Sequence, residues 1–200
     1  TVKTPISLVN MWTDDNHVRS FKNKVNPYIK KWNLKNKFIV LYSGNMGRFH
    51  DMETILAAAK VCEDEKNIIF LFIGDGYKKQ LVEDASKSLS NCMVKDFVPR
   101  DDLGHPLHMS NCGLVCLKDG QEGLSVPSKT YAMMAAGLPI FAIMNEKSEI
   151  ATMVKDEDCG QVFKNGAAKE LAQSIKTLYE NREIQSNYSN NSIHAIERQY

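Results

Sequence analysis

The chain reads as an α/β protein built on a doubly wound parallel sheet with helices on both faces. Three observations predict this. Phe38–Ser43, Ile68–Ile73, Gly113–Leu117 and Ile140–Met144 are short runs that are apolar throughout rather than alternating, the pattern of strands covered on both faces. Segments of helical periodicity separate them, as they do where crossover helices join parallel strands. The first two runs end in glycine turns, Gly44-Asn45-Met46-Gly47 and Gly74-Asp75-Gly76, where the chain must pass sharply from strand to helix.

Element by element, Pro5–Asn10 is a short apolar run that reads as a strand. Residues 11–37 are polar, with Phe21, Val25, Tyr28, Ile29 and Trp32 at helical spacing and Pro27 near a helix start. After the strand at 38–43, Asp51 is placed to cap a helix whose apolar face is Ile55, Leu56, Ala59 and Val61 or Cys62. The strand at 68–73 leads to a helix through Leu81, Val82, Ala85 and Leu89, with Asp75 read as its cap near Tyr77. A strand at Met93–Val98, a short helix at 101–109 and the strand at 113–117 follow. The last part runs as loop, small-residue helix (128–136), strand (140–144), helix (148–154), strand (160–163), helix (167–179) and a polar helical tail.

Composition narrows the function classes. Net charge is +1, so no global field recruits nucleic acid. No apolar run approaches the roughly 20 residues that span a bilayer, and no signal-peptide pattern opens the chain. Cys62, Cys92, Cys112, Cys116 and Cys159 are odd in number, and four lie in or beside apolar segments. They read as small buried hydrophobes in a reducing compartment, which predicts a cytoplasmic protein. Neither Cys112 with Cys116 nor His105 with His108 has the spacing and companions of a metal motif, so no metal is expected.

Ligands of such sheets bind beyond the carboxyl ends of the strands. In Gly44-Asn45-Met46-Gly47-Arg48, two glycines let backbone N–H groups approach an anion and Arg48 adds a cation. A plain tight turn would use the same glycines, and without Gly-x-Gly-x-x-Gly spacing no nicotinamide or flavin site is read. Gly74 and Gly76 could leave room for a base or ribose, although Asp75 as a helix cap explains that turn too. The third loop, Glu122 to Lys129, has the most chemistry. Pro127 suits a first helical turn, where a lysine opposes the helix dipole unless it shares a bound anion. Ser125 and Ser128 can donate to phosphate oxygens, and Glu122 can accept from two sugar hydroxyls. An exposed loop before a capped helix is the alternative. Met133, Met134, Ala135 and Ala136 are expected to pack on the sheet.

The ordered set Tyr42-Ser43-Gly44-Asn45-Met46-Gly47, Phe72-Ile73-Gly74-Asp75-Gly76, Phe97-Val98-Pro99, and Ser125-Val126-Pro127-Ser128-Lys129 through Met134-Ala135-Ala136-Gly137-Leu138-Pro139 resembles the C-terminal, Rossmann-like half of the GT-B glycosyltransferases. Within these it is similar to the retaining group 1 family (family 4), in its bacterial surface-polysaccharide branch with a Pro-Ser-Lys loop. The resemblance implies a nucleotide-sugar donor, usually linked to uridine diphosphate, bound without metal or other cofactor. It implies catalytic roles for Arg48 and Lys129, which would neutralise the diphosphate, and for Glu122, which matches the first glutamate of the family's Glu-x7-Glu pattern and would touch the donor sugar. Gly44, Asn45, Gly47, Ser125 and Ser128 would bind the donor, with Gly74, Asp75 and Gly76 near the nucleoside and Val98 at the base. The sequence departs from the pattern at its second acid. Thr130 stands eight residues after Glu122, and alignment on Met134-Ala135-x-Gly137-x-Pro139 puts Ala132 where the glutamate that contacts the ribose usually lies.

Three segments follow from the resemblance: 1–37, the end of an absent N-terminal acceptor domain with its linker; 38–182, the donor-binding domain; and 183–200, a helical extension. The full-length enzyme is expected to transfer a sugar to a glycan or lipid-linked acceptor in bacterial polysaccharide synthesis, with peripheral contact at the inner face of the membrane left open. The fragment alone is expected to be inactive. A sugar-nucleotide epimerase of GT-B architecture and a non-catalytic nucleotide-binding module are the competing readings.

Overall fold

The computed structural model describes residues 15–123 and 126–199; the apolar run at 5–10 and Ser125 lie outside them. The strands are β1 (Phe38–Ser43), β2 (Ile68–Ile73), β3 (Cys92–Lys95), β4 (Cys112–Cys116), β5 (Ile140–Ile143) and β6 (Gly160–Phe163). The helices are α1 (Asp15–Arg19), α2 (Pro27–Lys31), α3 (Met52–Val61), α4 (Lys79–Ser86), α5 (Gly104–Met109), α6 (Lys129–Ala135), α7 (Glu149–Asp156), α8 (Ala168–Glu180) and α9 (Arg182–Gln199). All neighbouring strands are parallel, in the order β3-β2-β1-β4-β5-β6. The chain starts mid-sheet, winds out to β3, and returns past β1 to wind out the other way. Its direction reverses between β1 and β4, which leaves a crevice at their carboxyl ends.

Successive residues of a strand face opposite sides of a sheet, and the two faces of β1 show the consequence. Phe38, Val40 and Tyr42 pack with α3, α4 and α8, while Ile39 and Leu41 pack with α5, α6, α7 and α9. Each such side chain removed from water contributes about 1.5–3 kcal/mol. The apolar strands of the sequence are therefore the middle layer of a three-layer fold.

Local chemistry sets the element ends. Asp51 caps α3 as the sequence predicts, its carboxylate accepting from the Thr54 N–H at 3.1 Å. The segment before β1 is two short helices rather than one. Pro27 opens α2 and Asn26 caps it, accepting from the Tyr28 N–H at 3.0 Å, so Val25 falls between the helices and is 93% exposed. Phe21 seats on Gly104, where a Cβ would lie 2.3 Å from its ring, and meets the His105 ring edge to face at 4.7 Å. His108 Nε2 lies 2.9 Å from the Val18 carbonyl. Both histidines thus fasten this segment to the domain. At the other end α9 lies on α6, with the Ser192 hydroxyl donating to the Leu138 carbonyl at 2.8 Å.

Candidate functional site

The turns after β1 and β2 are stacked on each other. Gly44 N–H donates to the Ile73 carbonyl at 2.8 Å, and Met46 N–H to the Asp75 carbonyl at 2.7 Å. Gly74, at φ +144°, has no room for a side chain: a Cβ would sit 2.1 Å from the Gly44 carbonyl oxygen. The space that Gly74 and Gly76 leave by lacking a side chain is filled by the first turn. Asp75 does not cap α4. Its carboxylate accepts from the Gly76 N–H at 2.7 Å, and α4 begins at Lys79 without a side-chain cap.

Two side chains under the first turn hold its shape. The Tyr42 hydroxyl donates to the Asn45 carbonyl at 2.6 Å. His50 Nδ1 accepts from the Gly47 N–H at 3.0 Å, which leaves the ring proton on Nε2. Burial, and then the nearby Lys129 charge, push the His50 pKa down to about 4, so the imidazole is neutral at physiological pH. Lys78 adds a third fastening, donating to the His50 carbonyl at 2.7 Å and pairing with Glu53 at 2.6 Å.

Beside this turn is a cavity of about 360 Å³. Ser43 and Gly44 line it from the end of β1, Phe97 and Val98 from the segment after β3, Arg100, Leu103 and Leu107 from α5 and the turn before it, and Lys129, Ala132 and Met133 from α6. The sequence carried β3 to Val98, but its pairing with β2 ends at Ile73 opposite Lys95. Residues 96–99 run past the last rung of that ladder, which brings the backbone of Phe97 and Val98 to the cavity.

Lys129 is the chemical centre of this arrangement. Its Nζ is buried, with no hydrogen-bond or carboxylate partner among the described residues. It lies 3.6 Å from the centroid of the Tyr42 ring, and a Cβ on Gly44 would come 3.6 Å from it. Burial pushes its pKa down to about 8. The nearby Cys116 thiol cannot serve as counter-ion, because burial pushes its own pKa up to about 12. A cation over an aromatic face gains only about 1–2 kcal/mol, well short of what a buried ammonium loses with its hydration shell.

Of the residues singled out from sequence, the cavity brings together Gly44, Val98 and Lys129. Arg48 is exposed outside its lining, with its guanidinium 4.2 Å from the Tyr77 ring centroid. Asn45 is exposed and Gly47 half-buried on the same turn. Ser128 precedes α6, exposed and without a capping bond. Glu122 is half-buried, and its Oε1 is covered without a partner among the described residues. Sequence reasoning missed His50, Lys78, Leu103 and Leu107. The leucines do carry a signal, the i, i+4 spacing of one helix face; His50 and Lys78 carry none.

Comparison with known proteins identifies the family and the fold. The model of the family "Glycosyl transferases group 1" matches residues 25–195. The chain belongs to that family. It is 33% identical over 166 residues to "Probable glycosyltransferase WbjE" of Pseudomonas aeruginosa, an alignment covering 80% of this chain and 40% of WbjE. A Staphylococcus aureus TarM mutant, solved with fondaparinux, alpha-GlcNAc-glycerol and UDP, has a similar fold at TM-score 0.69 and 16% identity, over 82% of this chain and 33% of that one. The C-terminal domain of LpcC, a group 1 family protein of Francisella tularensis, superposes at TM-score 0.68 and 11% identity, over 92% of this chain and 97% of that one. The fold is thus the doubly wound α/β unit found in GT-B glycosyltransferases, and the chain spans less than half the length of WbjE. Among the described residues, no helix is long and apolar enough to cross a membrane.

Proposed function

We propose that the chain is the donor-binding half of a retaining glycosyltransferase. It would bind a nucleoside diphosphate sugar in the cavity beside Lys129, for transfer to a glycan or lipid-linked acceptor in polysaccharide synthesis. The observation behind this reading is the Lys129 ammonium at the switch point of the sheet, buried and without a partner among the described residues. A diphosphate would supply the missing counter-charge. Family membership supports the reading, as does the UDP in the TarM complex.

In the reaction, the bond from the anomeric carbon to the diphosphate oxygen breaks and its electron pair leaves with the phosphate. The acceptor hydroxyl oxygen bonds the same carbon, and its proton goes to the departing phosphate. Charge thus develops on the diphosphate, where a fixed cation in a water-poor site has its largest effect. Lys129 needs no reorganisation to play this part, because Tyr42 and Gly44 already hold its ammonium. Arg48, on a mobile-length side chain at the turn surface, would swing from Tyr77 to the outer phosphate. The Glu122 Oε1, without a partner among the described residues, would accept a hydrogen bond from a hydroxyl of the donor sugar. No metal is required in this scheme, since two cations would balance the leaving group.

Calorimetric titration of uridine and uridine diphosphate tests the placement. Lys129→Ala should lower diphosphate affinity by about a hundredfold, in line with truncating one side of a buried charge pair, and Arg48→Ala by about tenfold at its exposed position. Uridine binding should change little in either variant. Equal losses for nucleoside and diphosphate would put the phosphate elsewhere.

A further inference from the structure

We propose that Asn165, in the loop after β6, is a positioning residue for the donor sugar, because it fixes the root of the loop that carries Glu122. The inference rests on the reading above, in which a diphosphate sits at Lys129 and Glu122 takes a hydroxyl of the sugar. A donor held at both ends requires a set separation between the first glycine turn, which stands beside Lys129, and Glu122. Gly120 and Gly123 bracket Glu122 at φ +81° and +77°, and a Cβ on either would meet nothing within 4 Å among the described residues. Glycines in open space leave a segment its conformational freedom. The direction of this one is therefore set at its base.

There the Asn165 amide makes three bonds. Its Oδ1 accepts from the Asp119 N–H at 2.9 Å. Its Nδ2 donates to the Leu117 carbonyl at 3.1 Å and to the Asp51 carboxylate at 2.7 Å. These partners fix which end of the amide is which, and an aspartate in its place would set a second carboxylate against Asp51. The Lys118 N–H adds a bond to the Phe49 carbonyl at 2.7 Å. Phe49 and Asp51 lie between the first glycine turn and α3, so the root of the Glu122 loop is tied to the same turn that meets Lys129. Asp51 is itself held in place. Its carboxylate accepts from the Thr54 hydroxyl at 2.6 Å, and that hydroxyl oxygen accepts from the Gly166 N–H at 2.7 Å. Asp51 and Thr54 are both buried, where a satisfied polar network is rigid. Asn165 is the member of that network whose side chain reaches the Glu122 loop.

Calorimetric titration with UDP and with UDP-glucose, UDP-galactose and their N-acetylamino counterparts tests this. The probe is the sugar nucleotide whose affinity relative to UDP falls most in Glu122→Ala, and that ratio is the quantity read. Asn165→Ala should lower the ratio about tenfold, the worth of one hydrogen bond between Glu122 and the sugar, and leave UDP affinity unchanged. A general loss of stability would weaken both ligands together. In a Glu122→Ala background the same substitution should move the ratio no further, because both changes act on one contact. A ratio unmoved by Asn165→Ala, or lowered equally with and without Glu122, would overturn the positioning role. If Asn165→Ala does not fold, amide exchange in the native protein decides. An Asp119 N–H protected far beyond a free amide supports the fixed root, and one that exchanges as fast as a free amide overturns it. A ratio that Glu122→Ala leaves unchanged for every sugar nucleotide would overturn the inference together with the sugar contact it rests on. Absence of UDP binding would overturn the donor-site reading as well, so each failure is distinct.

Discussion

Two lysines with covered ammonium groups stand on either side of the first glycine turn, and their surroundings are opposite. Lys78 has a side chain 8% exposed, lies 2.6 Å from the Glu53 carboxylate and donates to the His50 carbonyl. Lys129 is likewise covered at its nitrogen and has an aromatic face for company. Burial lowers the pKa of both, but at Lys78 Glu53 acts against it, and at Lys129 only the weak influence of Cys116 does. A lysine that fastens two loops is satisfied by the fold alone. A lysine without a partner among the described residues is the one the proposed reading supplies with a diphosphate. On the proposed reading, the difference separates a structural ion pair from a binding residue at two positions that look alike in composition.

The largest effect that tests this contrast is on the stability of the free protein. The Lys129 pKa is about 8 when folded, against an ordinary value of 10.5. Between those values the unfolded chain holds more protons, so stability rises with pH. The penalty of the buried charge is therefore complete below pH 8 and gone above 10.5. Lys129→Met removes it, and should stabilise the free protein by roughly 2–3 kcal/mol at neutral pH, with the gain shrinking as pH approaches 10.5. Urea unfolding of both proteins across that range measures it. Equal stability at neutral pH would mean that the ammonium has a partner after all.

Lys78→Met should have the opposite sign. It breaks the pair with Glu53 and the bond to the His50 carbonyl, and should destabilise by roughly 1–2 kcal/mol. The figure is below that of a fully buried pair because the Glu53 side chain is 50% exposed and regains water. Stabilisation by both methionines would erase the distinction drawn here.

The same contrast shows how far the sequence could be read. The apolar strands were legible because burial on both faces leaves no room for polar alternation, and the glycine turns because tight turns need glycine. Lys129 was legible from a local cue, a cation in an N-terminal turn. Its isolation was not, since that depends on Tyr42, His50 and Cys116, which come from other segments and whose protonation states follow from burial. The strand at 93–98 was overextended because Phe97 and Val98 read as strand letters, while the ladder stops where β2 does. Asp75 looked like a cap by residue type and position, but the backbone folds its carboxylate onto the neighbouring N–H before the helix begins. Helix-facing residues such as Leu107 became part of the cavity only once the crossover set the direction of α5.

His50 gives the smallest and most local test of the turn that Lys78 fastens from one side and Lys129 touches from the other. Its pKa is about 4 when folded, against 6.5 ordinarily. The folded state holds fewer protons in that window, so the stabilisation is complete above pH 6.5 and is lost as pH falls through 4. Partial exposure reduces the full value, to roughly 1–2 kcal/mol. Other groups titrate over the same range, so the useful quantity is the difference between the native protein and His50→Gln, which cannot take up the proton. Native stability should fall more steeply than the variant's between pH 6.5 and 4. Protonation of Nδ1 also ends its acceptance of the Gly47 N–H, which releases the turn that supports Gly44 beside Lys129. Diphosphate affinity of the native protein should therefore hold while the folded imidazole stays neutral and drop as pH falls through about 4, although Lys129 itself stays fully charged there. Affinity that holds constant as pH passes below 4, where the imidazole is protonated, would show that the turn keeps its shape without its acceptor, and that Tyr42 and Lys78 suffice to hold it.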